Sequence, residues 1–154
     1  MRNSVLILIS ALILSGCSVK EEYDFLINEN QTYTHAVEFT RKLQLRNNGQ
    51  TKMLVTATYI NRLFRSLDPK YEHFIIGIPK SKKNFFQTYL LRLDSQAPQK
   101  ITPAKKPYVL NLPATNSWTK YYHLRFAKNK SNTLSLSLWH EMFGSASARF
   151  IKVR

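Results

Sequence analysis

The chain reads as all-β, a single antiparallel β-sandwich of about seven or eight short strands. Three observations predict this. Past residue 32, apolar and polar residues alternate along most runs, the period-two signature of strands with one buried face. Those runs are short and separated by clusters of Asn, Pro, Ser and Lys, residues that break regular structure. The 154 residues include only four glycines, and no run shows the apolar spacing of an amphipathic helix.

Taken in order, Tyr33, Val37, Phe39, Leu43 and Leu45 share one parity against Thr34, Glu38, Thr40, Lys42 and Gln44. His35 and Arg41 interrupt the apolar set, so a helix stays open for the start of this segment. Asn47-Asn48-Gly49-Gln50 accepts positive φ and predicts a hairpin. The β-rich run Lys52 to Ile60 then pairs back on the first strand. Phe74 to Ile78 stops at Pro79, and Thr88 to Leu93 stops at Asp94-Ser95. A connection punctuated by Pro98, Pro103 and Pro107 leads to a short strand at Tyr108 to Leu112. In Trp118 to Phe126, Tyr122, Leu124 and Phe126 share a face. Leu134, Leu136 and Leu138 alternate with Thr133, Ser135 and Ser137, and a last strand runs from Ser147 to Val153.

In strand number and spacing this resembles immunoglobulin-like or fibronectin-like sandwiches. The cysteine pair of true immunoglobulin domains is absent, because Cys17 is the only cysteine. Trp118 and Trp139 are expected to pack in the core or at its rim rather than serve as ligand platforms.

Ahead of the strands the chain begins Met1-Arg2-Asn3, followed by the apolar run Val5 to Leu14. That run is about half the roughly 20 residues a bilayer span needs, and fits the hydrophobic region of a signal peptide. Leu14-Ser15-Gly16-Cys17 resembles the lipobox of bacterial lipoproteins. The resemblance implies a signal peptide over 1–16, cleavage before Cys17 and acyl chains on that residue. It implies an anchor that holds the protein on a membrane of the cell envelope without spanning it. With Ser18 next, the resemblance favours the periplasmic face of the outer membrane over the inner membrane. Residues 17–32 then form the lipidated N-terminus and a tether, and residues 33–154 the domain.

The domain is strongly basic: from residue 33 onward, 21 Lys and Arg stand against five Asp and Glu, a net +16. Such a surface attracts polyanions. Alternating strand directions would gather Arg65, Lys70, Lys100, Lys105, Lys106, Lys128 and Lys130 at the end where the first strand starts, with Lys80, Lys82 and Lys83 at the other. The seven are the candidate anion-binding residues, placed to meet anionic lipid or lipopolysaccharide.

Catalytic patterns are incomplete. His140-Glu141 opens like a zinc-protease helix but lacks the second histidine four residues on. Ser117-Trp118-Thr119-Lys120 has the serine–lysine spacing of penicillin-binding enzymes without the partner motifs. Gly144-Ser145-Ala146-Ser147-Ala148 fails the nucleophile elbow at its last position. No cofactor or metal is expected, and the chain is not expected to be an enzyme. Lys120 to Arg125 interleaves cations and aromatics in a way that could meet nucleic acid, but export argues against that partner. The expectation is an envelope-anchored interaction or assembly module, with another envelope protein as partner. Direct binding of anionic lipid or glycan is the alternative, and a cell-wall hydrolase acting through Ser117 or His140 is a weaker one.

Overall fold

Two antiparallel sheets carry the fold. The computed structural model describes residues 33–113 and 115–152. The expectations for the signal peptide, Cys17 and the tether lie outside the described residues.

In chain order the elements are helix α1 over 33–38, β1 (Thr40–Asn47), β2 (Gln50–Tyr59), β3 (Tyr71–Pro79), α2 (Phe85–Thr88) and β4 (Leu90–Leu93), then β5 (Lys100–Pro103), α3 (Lys106–Val109), β6 (Thr119–Ala127), β7 (Thr133–His140) and β8 (Gly144–Ile151). One sheet has the order β1-β2-β3-β6-β5 and the other β4-β7-β8, with every neighbouring pair antiparallel. The all-β sandwich expected from alternation is the fold observed, with eight strands.

Alternation explains how the sheets face each other. Leu43 and Leu45 of β1, Val55 and Ala57 of β2, Phe74, Ile76 and Ile78 of β3, and Leu124 and Phe126 of β6 point inward. They meet Leu91 and Leu93 of β4, Leu134, Leu136 and Leu138 of β7 and Phe150 of β8 in one core. Burying each such side chain contributes roughly 1.5–3 kcal/mol. The β1–β2 hairpin turns at Asn48 and Gly49, whose φ angles of 51° and 75° are those of a type I′ turn.

A second, smaller cluster covers part of the outer face of the five-stranded sheet. Ile60, Ile75 and Leu112 are buried there, with Phe64, Tyr108 and Tyr121 packed around them. The connections 61–70 and 104–118 therefore lie over that face. Within that sheet Gly77 leaves room for its neighbours on β2 and β6, since a Cβ there would collide with the Thr56 hydroxyl and touch Tyr121.

Two local expectations change and two that were open are narrowed. Residues 33–38 are helical, with Phe39 N–H bonded to the His35 carbonyl at 3.3 Å, consistent with the interruption at His35. Tyr108 to Leu112 is not a strand: Pro107 opens α3 with its fixed φ, and Leu112 drops into the second cluster. Lys100–Pro103, expected as connection, forms strand β5 on the free edge of β6. Trp118 is 75% and Trp139 44% exposed, so neither is a core residue.

Candidate functional site

The outward residues of β3, β6 and β5 form a cleft of about 300 Å³ lined by His73, Lys100, Thr102, Pro103, Lys105, His123 and Arg125. Register assembles it: His73 and Lys100 both lie opposite Arg125, while Ile75 and Thr102 lie opposite His123. Because Phe74, Leu124 and Phe126 point into the core, their neighbours His73, His123 and Arg125 must point out.

The floor is held in place from several directions. Asn61 receives the His73 N–H at 2.6 Å and donates to the Tyr71 carbonyl at 2.7 Å, seating the 61–70 connection. His73 Nδ1 lies 2.9 Å from His123 Nε2, and His73 Nε2 lies 3.0 Å from the Asp68 carbonyl. The edge of Tyr108 meets the His123 ring at 5.7 Å. The Arg125 guanidinium sits over the Tyr71 ring, 4.2 Å from its centroid. Its Nε–H is buried and has no hydrogen-bond acceptor among the described residues. A buried donor left unsatisfied costs about 1–3 kcal/mol, and the guanidinium that carries it belongs to a residue lining the cleft.

Electrostatics agree with the geometry. Burial, then the charges of His73, Arg125, Lys105 and Lys100, push His123 down to about 4. Burial lowers His73 as well, with Arg125 adding to the effect against the Asp68 carbonyl and the charges of Asp68 and Glu72. Both rings are therefore neutral at neutral pH. The cleft repels added positive charge, and Glu72 on the opposite face of β3 is already engaged with Lys152 at 2.6 Å.

The seven cations named from sequence separate. Lys100 and Lys105 line the cleft. Arg65 instead borders a hollow of about 440 Å³ with His35, Glu38, Phe39, Asn61 and Arg62. Lys128 stands 3.6 Å from Glu72, and Lys70 donates its backbone N–H to the Asp68 carboxylate at 3.0 Å. Lys106 is the first residue of α3, and Lys130 is exposed in the 128–132 turn. The expectation that all seven share one end of the sandwich is corrected by β5. This strand runs away from that end, so Lys105 and Lys106 follow its far side while Arg65, Lys70, Lys128 and Lys130 stay behind. His123 and Arg125 belong to the Lys120 to Arg125 stretch weighed for nucleic acid, whereas His73 carries no such local signal; the outward parity of 121, 123 and 125 is what marks the face.

The two residues of the weaker enzymatic reading sit in different surroundings. The His140 ring stacks on Phe143 at 4.3 Å, its Nδ1 accepts the Met142 N–H at 3.1 Å, and it is buried. Ser117 is exposed in the turn before β6. Among the described residues, no group of three His, Cys, Asp or Glu is placed to share a metal ion. No protein-family model, curated protein or solved structure matches the chain.

Proposed function

We propose that this is a lipid-anchored protein of the bacterial envelope whose β-sandwich is a non-enzymatic binding module for an anionic envelope component. The cleft that gathers Arg125, Lys100 and Lys105 beside two neutral histidines carries the reading. The net +16 of the domain supports it through long-range attraction. The anchor is proposed on the lipobox-like Leu14-Ser15-Gly16-Cys17, with acyl chains on Cys17 and, from Ser18, the periplasmic face of the outer membrane as location. Among the described residues no helix is long and apolar enough to cross a membrane.

Flotation with vesicles tests the binding. The chain with Cys17→Ala, which removes the acyl chains though not the apolar run Val5 to Leu14, should bind vesicles containing anionic lipid in excess over neutral ones and lose that excess as salt rises. Equal partition into neutral vesicles would remove the reading. Labelling of the wild-type chain with a tagged fatty acid tests the anchor separately.

A second reading, an envelope protein as partner, is favoured by a different surface. Leu90, Trp139 and Ser145 lie side by side across the outer face of β4, β7 and β8, bordering a hollow of about 350 Å³. Co-purification that survives high salt and is lost in Trp139→Ser supports it.

A further inference from the structure

The hydrogens on the two cleft histidines narrow the class of anion. The Asp68 carbonyl only accepts, so His73 Nε2, 3.0 Å away, carries a hydrogen. A neutral His73 then has a lone pair on Nδ1, and the hydrogen of the 2.9 Å contact belongs to His123 Nε2. His123 Nδ1 is left with a lone pair and no hydrogen-bond partner among the described residues. In that form it repels an oxyanion. With a proton added it becomes a donor and a fourth positive charge.

Resting on the anion-binding reading above, we propose that the cleft takes a doubly charged tetrahedral oxyanion, the terminal phosphate of a phosphomonoester, and that one proton enters with it onto His123 Nδ1. One solvent proton forms the Nδ1–H bond, no other bond breaks, and Nε2–H stays on His73. Charge complementarity selects the dianion. Lys100 at the start of β5, Lys105 beyond its end and Arg125 on β6 present three cations, more than a single carboxylate or phosphodiester neutralises.

The same charges set the proton linkage. In the empty cleft they add to burial in holding His123 down to about 4. From the neighbouring elements, Asp68 of the 61–70 connection and Glu72 of β3 act on the pair through His73. The rings of Tyr71 and Tyr108 close its sides. A bound dianion offsets the cations and reverses the field at His123, raising its affinity for a proton.

Titration calorimetry on the full chain in a neutral detergent tests this, in buffers of differing ionisation enthalpy. Inorganic sulfate is the first probe because it keeps both charges from about pH 8 to about pH 5, so any pH dependence belongs to the protein. Sulfate affinity should rise below neutrality by up to about tenfold per pH unit, with up to about one proton taken up per anion. His123→Gln should lose the slope with pH. Glycerol phosphate, a monoester, should bind at least about tenfold tighter than a glycerol phosphodiester.

Competition by vesicles bearing a phosphomonoester lipid would assign the phosphate to a headgroup. Binding of inorganic phosphate without such competition would assign it to a soluble compound. Sulfate binding of equal strength at every pH, without proton uptake, overturns the proton linkage while leaving anion binding in place. Equal binding of monoester and diester overturns the dianion class. No binding of any probe at any pH removes both this inference and the reading beneath it.

Discussion

The Lys152 ammonium stands 2.6 Å from the buried Glu72 carboxylate, at the end of the sandwich where β3 begins and β8 has just ended. The other carboxylate oxygen accepts the Tyr59 hydroxyl at 2.8 Å, and the Asn129 N–H reaches Glu72 at 3.2 Å. Glu72 is on the inward parity of β3 with Phe74 and Ile76, so these bonds are what permit a charge inside the apolar core. They tie the 128–132 turn and the end of β8 to the five-stranded sheet.

Replacing Lys152 with Met should cost about 3 kcal/mol, because the Glu72 carboxylate remains buried with its closest cation gone. Lys128, 3.6 Å away and half exposed, only partly substitutes. Urea unfolding of Lys152→Met and of the double variant with Glu72→Gln checks this. The double variant should recover at least about 1 kcal/mol by removing the stranded charge.

Acid should destabilise the domain in two stages. His123 titrates near 4 when folded and about 6.5 when unfolded, so the unfolded chain binds the extra proton and stability falls across that window. His73, lowered in the same direction, adds to it. Burial raises Glu72, but its bonds from Lys152, Tyr59 and Asn129 outweigh this and hold it below the ordinary carboxylate value. Its stabilisation is present above about pH 4.3 and is lost as pH falls through the lower folded value. Thermal melts in steps from about pH 8 downward should show the first decline in wild type and a smaller one in His123→Gln.

Gly77→Ala should destabilise by about 1–3 kcal/mol, since the added methyl meets the Thr56 hydroxyl across the β2–β3 pair. Thr56→Ala in the same chain should recover part of the loss. Denaturant unfolding of the three variants measures the coupling.

Much of the fold follows from side-chain parity. Leu134, Leu136 and Leu138 define both the extent and the buried face of β7 before any coordinates. Lys100–Pro103 is different: it is four residues long, with one apolar side chain that is exposed, and its strand character comes from hydrogen bonds to the edge of β6. No local pattern announces that pairing. The candidate site was half visible for the same reason. Parity places His123 and Arg125 on the outward face of their run, but only register brings His73 and Lys100 beside them from strands 50 and 25 residues away in number. Counting lysines by loop gathered residues that β5 separates, and left the Lys120 to Arg125 stretch apart from them.

Because the cleft lined by Arg125 is central to the account, the resonance of that side chain is the most direct test. Titrating inorganic phosphate into the isotopically labelled full chain should move the Arg125 Nε–H signal downfield to saturation as it gains an acceptor, with Arg149, which is remote from the cleft, unmoved. If the Arg125 signal stays in place while lysine and arginine signals over the whole surface drift together, the cleft is not a site and the positive charge acts only diffusely.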